Sequence, residues 1–506
     1  MLTGMELQLS EVVWTALFVW FCFGVSSVLY NVLFHPLRAY PGPLAARATI
    51  WWKIYTEVIK KESMSDVLFG LHRQFGDIVR IGPNELHFAN PAAYHDIYNS
   101  SARWDKERML YEGFGEDHSS FGMLTYAESR PRKEVLLPLF SRRAILSMQG
   151  LVREKIDHFA SILAKNNANG NSSDLLLGFR CFTIDTITTF CFAQSVDAID
   201  EPEFAAPIVE AMDNTLPAFH AFKYFPLLRK SILSIPPWLS LKISPQMAGL
   251  SRLQMLLGKQ VTDVIANPDS LKDSPHPIIY SRLLDPDVQK GNPIPDATSL
   301  YEEAQSLVFA GGVTVADTLM TGYFQILSQP SLYTKLQAEV LGVWPDIDSP
   351  PKFEVLETLP TLTATIKESL RHSPGVSSSL LRIVPANGAT ISGRPIPGGT
   401  IVGMSSAIVH KAPSIFADPE SFAPERWLEK GAVGLDKYLV SFSKGPRSCT
   451  GVNLAWCELY IAFATLLRRF DMELDGTTEA DLAWRDCFTP YYPGKHMRAW
   501  CRPKNT

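Results

Sequence analysis

Between Val12 and Phe34 the chain reads VVWTALFVWFCFGVSSVLYNVLF, with no charged side chain anywhere in the run. Backbone polar groups find no water in hydrocarbon, so a segment that enters a bilayer must satisfy them internally, as a helix. At ~1.5 Å per residue this one is long enough for a ~30 Å hydrocarbon core. A secretory leader would instead have a basic start and a shorter apolar stretch ending in small residues. Here Glu6 and Glu11 precede the run, while Arg38, Arg47 and Lys53 follow it. That asymmetry places the body of the protein on the cytoplasmic side. The expected layout is a lumenal N-terminus over 1–11, a transmembrane anchor over 12–34, a proline-rich hinge over 35–50 and a catalytic domain over 51–506. Within the hinge, YPGP (Tyr40–Pro43) gives a stiff turn, because proline fixes its own φ and restricts its predecessor.

The remaining chain carries no long Gly/Ser run, charge block or solenoid-period repeat, so one large domain is expected. A net charge of -5 lacks the basic footprint of a nucleic-acid binder. The seven cysteines are scattered without a CxxC pair, which fits a reducing compartment and argues against a disulfide framework. Sequons at Asn99 and Asn171 are therefore expected to stay unmodified. Amphipathic periodicity predicts helices over Ser299–Leu327, Ser331–Leu341, Leu359–His372 and Gly451–Phe470. Alternating β-branched residues broken by Gly and Pro predict strands within Asp77–Ala89 and Gly388–Met404. The fold class is mainly α with small β-sheets (α+β).

The densest chemical signal is SFSKGPRSCTGVNLAWCELYIAF, Ser441 to Phe463. Cys449 sits in a Gly/Pro loop, with Gly451 opening an apolar-periodic helix, and a helix N-terminus favours thiolate over thiol. No histidine lies nearby in sequence to serve as a base, so the thiolate suits metal ligation better than nucleophilic attack. Arg447 can face an anion from the same loop.

The spacing Phe442, Gly445, Arg447, Cys449, Gly451 (F-x-x-G-x-R-x-C-x-G) resembles the haem-ligand loop of the cytochrome P450 family at every point. KESLR supplies Glu368 and Arg371, and FAPERW supplies Arg426, similar to the family's Glu-Arg-Arg triad, in the family's order. The resemblance implies the cytochrome P450 fold and a haem b whose iron takes Cys449 as axial ligand. It further implies Arg447 on a haem propionate and Phe442 beside the sulfur. Arg382 in LLRIVP is a further propionate contact, and Lys133 a second, with Arg132 its rival because Ser129 replaces the family's usual aromatic or histidine.

The segment FAGGVTVADT, Phe309–Thr318, places two glycines inside a helical pattern, at about 1 kcal/mol each relative to alanine. AGGVT (Ala310–Thr314) resembles the family's oxygen-side helix motif. The resemblance explains Ala310, Gly311 and Gly312 as room for oxygen and substrate, and makes Thr314 the hydroxyl that serves the proton supply. Val313 stands where the family carries an acid. Asp317, one turn further on the same face, or an ordered water is expected to replace it, the alternative being that Asp317 is a structural residue of the helix face. Phe121, Phe309, Ala310, Gly311, Val376 and Tyr491 are expected to line an apolar substrate pocket.

The expected activity is a membrane-anchored monooxygenase, single-pass in the endoplasmic reticulum. Electrons from NADPH would reach it through a separate NADPH-cytochrome P450 reductase, with cytochrome b5 as an auxiliary donor. Lys437, Lys444 and Arg447 give the thiolate loop a positive bias suited to an acidic partner. YNVLFHPLRAYPGPLAA and YEGFGEDHSSFG are similar to segments of filamentous-fungal members from natural-product pathways, of trichodiene-oxygenase type, which implies a terpenoid substrate first and a polyketide-derived one next. A haem-thiolate isomerase or dehydratase working without O2, and a non-catalytic haem scaffold, are the alternatives.

Overall fold

Helix α1 (Leu2–Leu29) continues as a turn of π-helix over Tyr30–Phe34, so the uncharged run is helical throughout. The structure, a computed structural model, describes residues 2–504 apart from 100, 102, 244, 374 and 430. Three of the described helices are long and apolar enough to cross a membrane, and burial separates them. Glu11–Phe34, with a mean hydropathy of 2.0, has none of its most apolar window buried, whereas Leu175–Phe192 is 89% and Ala297–Leu327 67% buried. The last two are core helices.

The chain divides into two compact units, Met1–Ile97 with Leu380–Met404 and Tyr98–Ser379 with Ser405–Thr506. In the first unit, the expected hinge folds into short helices, Pro36–Ala39 and Leu44–Ala48. Gly42 there permits a close approach, because a Cβ would stand 2.2 Å from the Arg80 carbonyl oxygen. Strands Ile78–Gly82 and Glu85–Phe88 pair antiparallel, Ile401–Gly403 adds in parallel, and Arg382–Ile383 closes the sheet antiparallel. Its core residues Val79, Leu86, Phe88 and Val402 are fully buried. A two-stranded hairpin, Ala389–Ile391 with Arg394–Ile396, accompanies it. Both expected β regions are thus strands.

The second unit is built on helices α2 (Tyr126–Leu136), α3 (Arg142–Ala168), α4 (Leu175–Phe192), α5 (Pro207–Thr215), α6 (Ala297–Leu327), α7 (Pro360–His372) and α8 (Val452–Arg469). Four of these helices, α2, α3, α4 and α6, start on side-chain caps, which supply acceptors to backbone donors the first turn leaves free. Thr125 and Glu128 form a capping box on α2, Ser141 caps α3, Asp174 caps α4 and Asp296 caps α6. Helix α4 is buried almost all round, its polar side chains Arg180, Thr183 and Asp185 included. Gly322 draws α6, α7 and α8 together, since a Cβ there would lie 2.4 Å from Ser369 Oγ and 2.5 Å from Phe463 Cζ. Tyr323 stacks on Phe463 at 4.9 Å and donates to the Phe463 carbonyl at 3.0 Å. Strand Arg498–Pro503 pairs with both Ser173–Asp174 and Phe470–Leu474, and Arg485–Cys487 forms a hairpin with Thr489–Tyr491.

Candidate active site

The loop before α8 is fixed at each of its turns. Ser441 Oγ donates to the Leu370 carbonyl at 2.9 Å, tying the loop to α7. Gly445 adopts φ +75°, and a Cβ there would meet the Asn99 carbonyl oxygen at 2.4 Å, so only glycine fits. The Cys449 N–H donates to the Phe442 carbonyl at 2.9 Å. From α2, Lys133 Nζ donates to the carbonyls of Pro446 and Ser448, both at 2.9 Å. Arg447 reaches back to the carbonyls of Thr125, at 3.2 Å, and Met123.

Cys449 is accessible, whereas every other cysteine beyond the N-terminal helix is buried. Protein mass around the loop nevertheless raises its thiol pKa, against the lowering pull of the Gly451 N–H and Lys133. A thiol held high is a weak nucleophile at neutral pH, but coordination to a metal ion deprotonates it. Among the described residues no group of three or more His, Cys, Asp and Glu could form a metal cage. One accessible sulfur in a rigid loop therefore fits a metal whose other ligands come with it, as in haem.

Helix α6 has two contrasting sides near its middle. Ala310 is exposed although it lies deep within a mostly buried helix, and Thr314, one turn on, is partly so. The Thr314 hydroxyl donates to the Ala310 carbonyl at 3.0 Å. The glycines belong to the other side. A Cβ on Gly311 would lie 2.8 Å from Ile187, and one on Gly312 2.6 Å from Ile184, both on α4. Both glycines let α4 and α6 pack backbone to side chain; Gly312 is buried, whereas Gly311 stays partly exposed beside Ala310 and Thr314.

Asp317, one turn beyond Val313, is fully buried, as is Val313. It pairs with Arg180 of α4 at 3.4 Å, and Arg180 also meets Asp213 of α5. Burial raises the Asp317 carboxyl to about 7 against the pull of Arg180. Burial also opposes the Arg180 charge, but Asp213 and Asp317 outweigh it and hold the guanidinium protonated. The Asp317 carboxyl pairs with Arg180, an arrangement that corresponds to the structural alternative, and among the described residues it makes no hydrogen bond to Thr314.

Glu368, Arg371 and Arg426 form one buried node. Arg371 donates to Glu368 at 2.8 and 2.9 Å, and Arg426 Nε at 3.0 Å. The Trp427 indole N–H at 2.8 Å and the Ala423 N–H at 2.9 Å complete the carboxylate's shell. Burial alone would raise Glu368, yet these donors hold it far below the usual carboxylate range. Arg371 then ties the carbonyls of His410, Pro419 and Ser421 to α7.

A family model described as Cytochrome P450 matches residues 43–489. The chain belongs to the cytochrome P450 family. Among its relatives, cytochrome P450 monooxygenase flvC of Aspergillus flavus is 35% identical, covering 94% of each chain. Cytochrome P450 monooxygenase macH of Penicillium terrestre is 34% identical over 93% of each. Tryptophan 6-hydroxylase fscE of Fusarium equiseti is 32% identical over 94% of this chain and 93% of its own. This cytochrome P450 is thus a haem-thiolate monooxygenase, an oxidoreductase whose haem iron takes a cysteine thiolate.

The cations expected at the haem carboxylates are placed differently from one another. Lys133 and Arg447 both join the Cys449 loop to the α2 region. Arg132 points elsewhere, pairing with Glu303 at 2.9 Å and with Ser299 Oγ at 2.9 Å. Arg382 lies buried in the first unit, donating to the Leu381 carbonyl at 2.9 Å.

Of the residues expected to line an apolar pocket, Phe121 sits in an aromatic cluster. Phe121 lies 5.5 Å from Tyr111, 5.3 Å from Phe114 and 5.9 Å from Phe488, and Phe114 is 4.7 Å from Phe219. Phe488 was not legible as part of it. Its φ of +77° turns the ring inward, and Asp486 holds that turn through the Phe488 N–H at 3.0 Å. The same Asp486 oxygen accepts from Ser377 at 2.8 Å and Ser378 at 2.7 Å, which brings the Val376 loop to this hairpin. Tyr491 lies under Arg485, 5.5 Å from ring to guanidinium, and Phe309 packs against the core.

Proposed function

We propose that this cytochrome P450 is a membrane-anchored enzyme of fungal natural-product biosynthesis that hydroxylates or epoxidises an apolar intermediate, a terpenoid first and a polyketide-derived molecule next. The observation that carries the reading is the accessible Cys449 in a loop fixed from α2, α7 and its own turns. Haem bound there supplies dioxygen activation, in which thiolate donation favours O–O cleavage. The chain's own residues bind, orient and protect. Arg447 is the candidate partner for a haem carboxylate, because arginine matches a carboxylate's two oxygens. Thr314 carries a hydroxyl that both donates and accepts, so it can hold a water that delivers protons at the exposed turn of α6. The methyl of Ala310 leaves that turn uncovered. The rings of Phe114, Phe121, Phe219 and Phe488 offer an apolar wall that excludes water and holds a hydrocarbon skeleton.

The uncovered helix Glu11–Phe34 supports anchoring, and Arg38 and Arg47 after it support a cytoplasmic catalytic body. Lys53 adds little to that charge signal, since both oxygens of Glu85 neutralise it at 2.8 and 2.9 Å. Reducing equivalents are assigned to NADPH through a separate reductase, with cytochrome b5 as auxiliary. The test is to express the full chain in yeast with a reductase and incubate the microsomes with sesquiterpene and polyketide intermediates, with and without NADPH. An NADPH-dependent product gaining one oxygen is expected. NADPH-independent isomerisation or dehydration would overturn the reading. Alkaline carbonate should leave the protein in the membrane, and its release would contradict the anchor.

A further inference from the structure

One seam of α4 meets the packed side of α6. Arg180, Thr183, Ile184 and Ile187 are spaced i, i+3, i+4 and i+7, so they lie along one helical stripe. In the same order they meet Asp317, the Gly312 carbonyl, and the space that a Cβ on Gly312 and on Gly311 would fill. Thr183 makes the only one of these contacts that reaches backbone by hydrogen bond: its hydroxyl donates to the Gly312 carbonyl at 2.9 Å. That oxygen is also the normal acceptor of the Ala316 N–H in an α-helix. Thr183 is fully buried, so no water competes. The hydroxyl has one hydrogen, and its other acceptors within reach are the Phe179 and Arg180 carbonyls of its own helix, at 3.0 and 3.1 Å.

The neighbouring turn is treated alike. The Ala310 carbonyl takes the Thr314 hydroxyl in addition to its helical partner. Side-chain hydroxyls that bond helix carbonyls bend the helix locally. The Ala310–Thr314 turn therefore has its course set by two hydroxyls, one from within and one from α4.

We propose that Thr183 is a positioning residue: through the Gly312 carbonyl it fixes the turn of α6 that presents Thr314. This rests on the haem-thiolate site at Cys449 and the role of Thr314 proposed above. Thr183→Val keeps the shape and removes the donor, Thr183→Ser keeps the donor, Thr183→Ala is the fallback if valine misfolds, and Thr314→Val calibrates the effect. Two readouts apply to the full-length holoenzyme: the infrared C–O stretch of the reduced carbon-monoxide complex, and amide exchange of peptides spanning 310–318.

Thr183→Val is expected to unfold at the wild-type temperature. Its C–O band should move in the same direction as that of Thr314→Val, and its 310–318 amides should exchange several-fold faster. Thr183→Ser should match wild type in both. A Thr183→Val protein with the wild-type band and wild-type exchange would overturn the proposal, as would a serine variant that behaves like valine. If wild type itself gives no thiolate-type carbon-monoxide spectrum, the haem reading has failed, and the exchange comparison still decides whether Thr183 holds the turn.

Discussion

Two buried ion clusters lie in the second unit, and they differ in how completely they are satisfied. At Glu368 every carboxylate oxygen is taken, by Arg371, Arg426, Trp427 and the Ala423 backbone. At Asp317 the single partner is Arg180, while Asp317 Oδ2 and Arg180 Nε are buried without a partner among the described residues. Both carboxyls suffer burial, but Glu368 is held far below its ordinary range and Asp317 rises to about 7. Hydrogen bonds to the charged form decide the sign, not proximity to arginine alone. The saturated node is thus a fixed charge that organises the chain before the Cys449 loop. The unsaturated one is an acid near neutrality, pressed between helices.

The largest expected effect that separates the two is Glu368→Gln. It strands Arg371 and Arg426 as buried unpaired cations, at a cost of about 3–5 kcal/mol, read as lost folded protein in chemical denaturation. Because Glu368 is depressed in the folded state, the wild type keeps this stabilisation above the unfolded carboxyl pKa and loses it as pH falls below about 4.5. The deficit of the variant should shrink in acid. A deficit that stays constant down to about pH 2 would break the assignment of charge.

Gly312→Ala comes next. Its new Cβ meets Ile184 at 2.6 Å, so overpacking of about 1–3 kcal/mol is expected, partly relieved by Ile184→Val. Unchanged stability would mean that α4 and α6 are not held at this spacing.

Asp317→Asn should have the smallest effect and the opposite sign. A carboxyl raised to about 7 costs the wild type stability progressively as pH rises from about 4 to 7. The amide lacks that cost but gives up the attraction to Arg180, so the variant should gain stability at pH 7, with a margin that narrows toward pH 4. A loss growing with pH would make Asp317 a true buried ion pair like Glu368.

The same contrast explains what was legible in the sequence. Glu368 and Arg371 sit at i, i+3 on one helix, and Arg426 follows in a quotable segment, so the node could be assembled by spacing. Its Trp427 and Ala423 donors could not, since they depend on how the loop after Ser421 folds back. For Asp317 the spacing from Val313 identified a shared helical side correctly. It could not show what the carboxyl pairs with, because Arg180 lies on a helix far away in sequence. The packing of the glycines on α4 was hidden for the same reason: a missing Cβ reads alike whether it faces a ligand or Ile184. The strands within 77–89 and 388–404 were readable from alternation, whereas Phe470–Leu474 and Arg498–Pro503 pair only across the fold. Phe488 entered the aromatic cluster through a positive φ that no pattern announces.

The central claim is that Cys449 ligates a haem iron. The most direct test is the reduced carbon-monoxide difference spectrum of the full-length protein beside Cys449→Ala. The account predicts the thiolate-type band in wild type and its loss in the variant. A Cys449→Ala protein that retains the band would contradict it.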